Sequence, residues 1–369
     1  METKQEIKLE DVFNDEKRQA IKEFIDKQEI KYMIQNFVNI QNSLRDLSDE
    51  EFENIVKTLA IELEKVDYRF NYSDSDLIKD WGNLLKWNPN VDSISSTQRL
   101  GMKLCEHFFP NFFDIENKNG DSFKSLWKAD KLEKVIRWNR KSHSTPYLSE
   151  LRRGIYFNYK LAKSTMYRPQ MAKMVITNLG AKRVLDPCAG WGGRMLGTVA
   201  AGAEYVAFEP NTETYESLLK LTKFLGIENK VRIIKDSALE MDKYDIGEFD
   251  LILTSPPYFD LEVYSHENTQ SINGCNSYSM WLDEFLKPLI ELSLSHMNED
   301  GWSCWNVHNV GKMKMIDDIK DIHKDYINQK IFSVVSSKRQ TNQSKNDKKN
   351  TDITICYSKS KIKDKIKFW

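Results

Sequence analysis

From Tyr167 onward, short apolar runs alternate with helix-like segments, and no other feature limits the possible folds as much. The runs are R-V-L-D-P (183–187), Y-V-A-F-E (205–209), V-R-I-I-K-D (231–236), F-D-L-I-L-T (249–254) and W-S-C-W-N-V (302–307). Segments such as Glu213 to Leu225 carry helical spacing between them. Strand, helix, strand in repetition is the pattern of a parallel sheet covered by helices. Two later runs, Ile331–Val335 and Asp352–Tyr357, flank a very polar loop from Ser337 to Asn350 and read as a closing antiparallel hairpin. The predicted fold class is α/β: a Rossmann-like, mostly parallel sheet closed by an antiparallel hairpin, with a mainly α-helical N-terminal region.

That N-terminal region shows a different period. Ile21, Phe24 and Ile25 share a helix face, and Ile30, Met33, Ile34, Phe37 and Val38 repeat at three- and four-residue steps. Ser48-Asp-Glu-Glu51 has the form of a capping box and predicts a helix through Leu63. Residues 67 to 120, with Trp81, Trp87 and F-F-P-N-F-F at 108–113, read as short helices and loops. A chain of 369 residues suits about two domains. The predicted organisation is a helical part at 1–165, an α/β part at 166–358 and a basic tail at 359–369.

Charge is unevenly placed. The formal net charge is −1, yet Asp121 to Arg168 carries 12 Lys/Arg against 4 Asp/Glu, and Lys338 to Trp369 carries 10 against 3. The first 66 residues are acidic, 10 against 16. Opposed blocks of this kind point to a polyanionic partner. No apolar run approaches the roughly 20 residues that span a bilayer, and METKQEIKLEDVF has no apolar signal core. The five cysteines are scattered, without C-x-x-C pairs or histidines at ligand spacing. This argues for a reducing cytoplasm and against a zinc site.

Four successive runs end in residues with chemistry to offer. The first ends in D-P-C-A-G-W-G-G-R (186–194), a glycine-rich turn leading into a helix. Such a turn lets a ligand approach the backbone and offers it N–H groups. Glu209 follows at the end of the second run, where an acidic residue is placed to hold ribose hydroxyls. Asp236-Ser237 ends the third, and Thr254-Ser255-Pro256-Pro257-Tyr258 ends the fourth. Open α/β sheets bind ligands at the carboxyl ends of their strands.

The 186–194 turn and T-S-P-P-Y together resemble two motifs of the S-adenosylmethionine-dependent amino-methyltransferases of DNA, over residues 165 to 358. The resemblance implies a methyltransferase domain that moves a methyl group from S-adenosylmethionine to an exocyclic base amine. The serine variant of the motif favours cytosine N4, with adenine N6 as the alternative. Ser255 and the Pro256 carbonyl would accept from the amine and draw its lone pair out of the ring. The two prolines would hold that carbonyl rigid, a preorganisation that lowers barriers. Tyr258 would stack on the flipped base.

The resemblance also implies cofactor residues. Asp186 would hold the methionine ammonium, with Gly190 and Gly192 letting the backbone pass close. Glu209, with Asn211 beside it, would bind the ribose, and Asp236, supported by Ser237, the adenine N6. Tyr167 and Pro169 in Y-R-P-Q-M-A-K-M-V-I would contact the methionine part. Cys188 and Trp191 depart from the family pattern. Trp191 is expected either to cover the cofactor or to pack on the sheet. Asp260, Glu262, Tyr264 and His308 are neighbours that could line the base pocket. Ser277 to Trp281 and the Asp300-Gly301 turn read as structural.

Between Asp121 and Arg168 the cations alternate with aromatics: Trp127, Lys128, Lys131, Lys134, Arg137, Trp138, Arg140 and Lys141, then Arg152, Arg153, Tyr156 and Tyr159. Cations neutralise phosphates and aromatics stack on exposed bases. DNA contact is therefore expected from 121–168 and from the polar stretch 338–350. An RNA substrate, a protein substrate and a catalytically dead DNA-binding fold are the competing readings.

Overall fold

The computed structural model describes residues 47–89, 91–117, 119–142, 148–161, 164–335 and 350–359. The periodic segment before residue 47, the 338–349 stretch and the tail beyond 359 lie outside them. The described chain divides into two compact units, one holding residues up to Arg69 together with Phe113–Ser164, the other holding Phe70–Phe112 and everything from Thr165. The predicted boundary near 165 therefore misses that residues 70–112 belong with the sheet. Strand β1 (Ser93–Ser95) is the reason: it pairs in parallel with β7 (Asn328–Val335) and becomes part of the sheet edge.

The first unit is helical. Helix Asp49–Glu64 starts at the predicted capping box, with Glu51 N–H donating to Ser48 Oγ at 3.2 Å and Ser48 N–H to Glu51 at 2.7 Å. The short helix Phe123–Leu126 and helices Ala129–Lys141 and Leu148–Asn158 also belong to it. Tyr68 sits among Phe113, Phe123 and Trp127, with ring centroids 5.1 to 5.3 Å apart.

The second unit is an eight-stranded sheet in the order β1-β7-β8-β6-β5-β2-β3-β4. Its remaining strands are β2 (Arg183–Asp186), β3 (Glu204–Phe208), β4 (Val231–Ile234), β5 (Phe249–Thr254), β6 (Met297–Asn306) and β8 (Asn350–Ser358). The β2–β3, β3–β4, β2–β5 and β5–β6 pairs are parallel, while β8 runs antiparallel between β6 and β7. This is the predicted architecture, a Rossmann-like, mostly parallel sheet closed by an antiparallel hairpin.

Apolar layers cover both faces, one around Phe208, Phe249, Trp281 and Trp305, the other around Met171, Val184, Leu251 and Leu253. The predicted Asp300-Gly301 turn is instead inside β6, where the register against β5 slips between Phe249 and Leu251. A bulge inserts residues into one strand without ending it. Among the described residues no helix is long and apolar enough to cross a membrane.

Candidate active site

The chain leaves β2 towards β3 and β4 on one side and returns to β5 and β6 on the other. The crevice at such a reversal, outside the carboxyl ends of the strands, is the ligand site of open α/β sheets. Asp186, Glu209, Asp236 and Ser255 all stand there, at or just beyond the ends of β2, β3, β4 and β5.

The glycine turn is built by backbone that only glycine adopts easily: Gly190 has φ 57° and Gly192 φ 74°. Gly192 opens the helix Gly193–Ala200. The Gly190 N–H donates to Glu209 Oε2 at 2.9 Å, and Asn211 N–H to Oε1 at 3.0 Å. Each Glu209 oxygen thus keeps a lone pair for a further donor. Burial pushes the Glu209 carboxyl up to about 7, against the two backbone bonds. The Asn211 side chain caps the helix Thr212–Leu225 by accepting from Thr214 N–H at 2.9 Å. Asp236 is half-buried, accepting from Ser237 N–H and from the Tyr244 hydroxyl, both at 2.8 Å. Ser237 Oγ in turn accepts from Leu239 N–H.

Asp186 has a different role from the one the resemblance implied. It is fully buried, and its two oxygens accept four protein hydrogen bonds. Thr254 Oγ1 (2.7 Å) and Cys188 N–H (3.2 Å) reach Oδ1, while Arg194 Nε and the Tyr205 hydroxyl (both 2.7 Å) reach Oδ2. No lone pair is left for an ammonium group. Burial works against the Arg194 charge and Asp186 outweighs it, raising the guanidinium pKa. Arg194 also donates to the Cys188 and Ala189 carbonyls, so the ion pair lies under the turn and braces it.

Tyr167 and Pro169 are held within the fold. The Tyr167 side chain is buried, its hydroxyl 2.9 Å from Thr354 Oγ1 and its ring 5.4 Å from the Arg194 guanidinium. Pro169 is the first residue of the helix Pro169–Leu179 and is buried too. What this segment offers the turn is its backbone, since a Cβ on Gly193 would lie 1.8 Å from the Tyr167 carbonyl oxygen. Sequence reasoning passed over Gly193 and Arg194, although the doubled glycine was their signal.

Cys188 is half-buried, and desolvation raises its thiol pKa. Trp191 packs on the sheet's apolar layer around Tyr205, Ala207 and Leu218, one of its two expected places. It stands edge-on to Phe112 at 5.1 Å and 5.6 Å from Tyr264, joining the F-F-P-N-F-F segment to the loop after β5. Tyr264 donates to Glu262, and Glu267 accepts from Thr212 N–H at 3.3 Å, so this loop is tied back to the helix after Glu209. Asp260 is exposed.

The S-P-P-Y stretch follows β5 directly. Pro256 is buried, and Ser255, Pro257 and Tyr258 are half-buried. Ser255 Oγ donates to the Asn306 carbonyl at 3.1 Å, which leaves its lone pairs free to accept. Desolvation raises the pKa of the Tyr258 hydroxyl. Phe259, the next residue, has φ 37°, a strained value for a bulky side chain. Trp281 is core and Tyr278 donates to Asp318 at 2.6 Å, as the structural reading of that segment expected.

The predicted nucleic-acid stretch is largely committed to its own unit. Lys128 pairs with Glu64, Lys131 with Asp130, Arg137 with Glu133, Arg140 with Asp49 and Arg153 with Glu150. Trp127 is buried with its indole N–H on the Leu63 carbonyl, whereas Phe157 is exposed and stacks with Trp138 at 5.2 Å. In the second unit, Arg168 is held by the carbonyls of Ser96 and Gln98.

A family model described as "Conserved hypothetical protein 95" matches residues 161–310, which run from the upstream segment through S-P-P-Y to just past β6. No curated protein sequence matches the chain. Several solved structures are similar to parts of the chain. An rRNA methylase of Streptococcus thermophilus is 14% identical, with 54% of this chain and 100% of that one covered and a TM-score of 0.36. A SAM-dependent O-methyltransferase of Thermotoga maritima is 12% identical, with 55% and 69% covered and a TM-score of 0.38. The human methyltransferase 10 domain containing protein is 13% identical, with 54% and 86% covered and a TM-score of 0.36.

The donor set fits the adenosine half of S-adenosylmethionine. Glu209 has acceptor capacity for two ribose hydroxyls, and Asp236 has it for an adenine amine. A Cβ on Gly190 would meet nothing closer than 3.7 Å, so the turn is open on that side.

Proposed function

We propose that the protein is an S-adenosylmethionine-dependent methyltransferase acting on the exocyclic amine of a nucleobase, with RNA as the substrate. The observation that carries this reading is Ser255-Pro-Pro-Tyr258 at the end of β5, beside the β2 turn and Glu209. When bound, S-adenosylmethionine supplies an electrophilic methyl group. Glu209 and Asp236 would hold its adenosine, and the Asp186–Arg194 pair would keep the turn in shape beneath it. Ser255 Oγ and the Pro256 carbonyl would accept from the target amine and free its lone pair for attack. The amine's surplus proton leaves to solvent after transfer. Tyr258 would hold the base by stacking.

Support for RNA over duplex DNA is electrostatic. Duplex binding needs a broad cationic face, and six of the twelve cations of 121–168 are ion-paired within their unit. RNA loops present bases already unstacked. RNA is also the substrate class in the name of the Streptococcus thermophilus protein. DNA cytosine N4 is the second reading, favoured by the serine of T-S-P-P-Y.

The test is to incubate the protein with methyl-labelled S-adenosylmethionine and total RNA, single-stranded DNA or duplex DNA, then identify the labelled nucleoside. An amino-methylated base from RNA is expected. Label only in DNA selects the second reading, and no label in any of the three sinks both. Tyr258→Ala should lower kcat by about 100-fold, since stacking one base on an aromatic ring contributes about 1–3 kcal/mol. Calorimetry should find its cofactor affinity unchanged.

Glu209 gives the reading a pH signature. Ribose hydroxyls donate to the anion, so binding must ionise a carboxyl whose pKa in the free protein is about 7. Cofactor affinity should therefore fall about tenfold per pH unit below that value and level off above it. Proton release on binding, measured in two buffers, should follow the same curve. Glu209→Gln should bind weakly and without this slope.

A further inference from the structure

The two prolines create a difficulty that the S-P-P-Y stretch cannot solve by itself. Neither Pro256 nor Pro257 has an N–H, so neither can tie the segment to a neighbouring strand. Its placement falls to its two ends, Ser255 and Tyr258. The first of these ends is held at the exit of β6. The Asn306 carbonyl accepts from Ser255 Oγ at 3.1 Å.

The exit of β6 is itself held from β8. Asn306 Nδ2 donates to Asp352 Oδ1 at 2.5 Å and to the Ile353 carbonyl at 2.7 Å. His308 Nε2 lies 3.4 Å from the same Asp352 oxygen. A single carboxylate thus meets the residue that grips Ser255, by its side-chain amide, and the imidazole two residues further on. Asp352 is only 18% exposed and Asn306 is buried, so water competes weakly for these bonds. The antiparallel pairing of Asn306 with Thr354 keeps the two strands in register across this contact.

We propose that Asp352 is a positioning residue for methyl transfer: from β8 it fixes Asn306, and through it the acceptor Ser255 at the head of the S-P-P-Y stretch. The proposal deepens the function given above and rests on it for its kinetic consequence. Its structural consequence stands apart from that function. A misplacement of about 1 Å at the reacting groups can lower a rate about 100-fold, while the cofactor residues on β3 and β4 do not touch Asp352.

The experiment pairs kinetics with hydrogen exchange on the whole chain. Asp352→Ala should lower kcat on the methylated nucleic acid about 100-fold and leave the affinity for S-adenosylmethionine within twofold. The amides of Tyr258, Phe259 and Leu261 should exchange faster, and those of β2 and β3 should not. A merely stabilising residue would instead raise exchange throughout the sheet. Wild-type kcat together with wild-type exchange at 258–261 overturns the proposal. If the wild-type protein binds the cofactor yet methylates no nucleic acid, the functional reading fails, and exchange alone decides on Asp352. Should the alanine variant not fold, Asn306→Ala removes the same contact from the β6 side. It should still loosen Tyr258, and unchanged exchange there overturns the proposal equally.

Discussion

Asp186→Ala should destabilise the sheet unit by about 3–5 kcal/mol, the usual loss when one member of a buried ion pair is removed. Arg194 would be left charged in a site where its side chain is only 6% exposed. The hydroxyls of Tyr205 and Thr254 would lose their acceptor as well. Urea unfolding should show the loss directly, with cofactor binding disappearing because the turn is no longer braced. A carboxylate whose task is to hold a ligand ammonium behaves otherwise: removing it weakens binding and spares stability. Unchanged unfolding with weakened binding would restore the role first expected of Asp186. Combining Asp186→Ala with Arg194→Met should recover part of the stability, because the stranded charge goes with it.

That reversal shows what a sequence can and cannot disclose here. Strand ends were legible because apolar runs in a parallel sheet are nearly continuous and stop abruptly. Val184-Leu185-Asp186 and Phe249 to Thr254 both end where the runs end. The acidic and proline-containing residues at those ends were therefore placed correctly in the crevice. Their partners were not, because hydrogen bonding between distant segments leaves no local pattern. Asp186 meets Tyr205 and Thr254, 19 and 68 residues away. Asp352 follows Asn306 by 46 residues. The capping box at Ser48 was legible for the opposite reason, since its partners are three residues apart.

The basic stretch was legible only as composition. Composition counts the cations of 121–168 but does not reveal that Asp49 and Glu64, far upstream, are folded against Arg140 and Lys128. Membership of 70–112 in the sheet unit was hidden because β1 is only three residues long. A strand that short has no period to detect.

Gly193→Ala should be among the most damaging single-methyl changes in the chain. The added Cβ would lie 1.8 Å from the Tyr167 carbonyl oxygen and 2.9 Å from its carbon. Those are backbone atoms, so no rotamer change relieves the clash, and the two segments must separate. Tyr167 is pinned by its hydroxyl to Thr354 in β8, and Arg194 lies over its ring. Separation would therefore disturb the β2 turn, the ion pair under it and the β8 contact together. Overpacking usually costs 1–3 kcal/mol; with backbone on the other side the loss should exceed about 3 kcal/mol. Gly202→Ala is the control. It has φ +84° but nothing within 4 Å of a Cβ, so only the left-handed backbone penalty of about 1–2 kcal/mol applies. Thermal unfolding of the two variants should separate them clearly, with Gly193→Ala also losing cofactor binding and Gly202→Ala keeping it. Equal shifts in both would mean that close approach at Gly193 is not what holds the upstream segment to the turn.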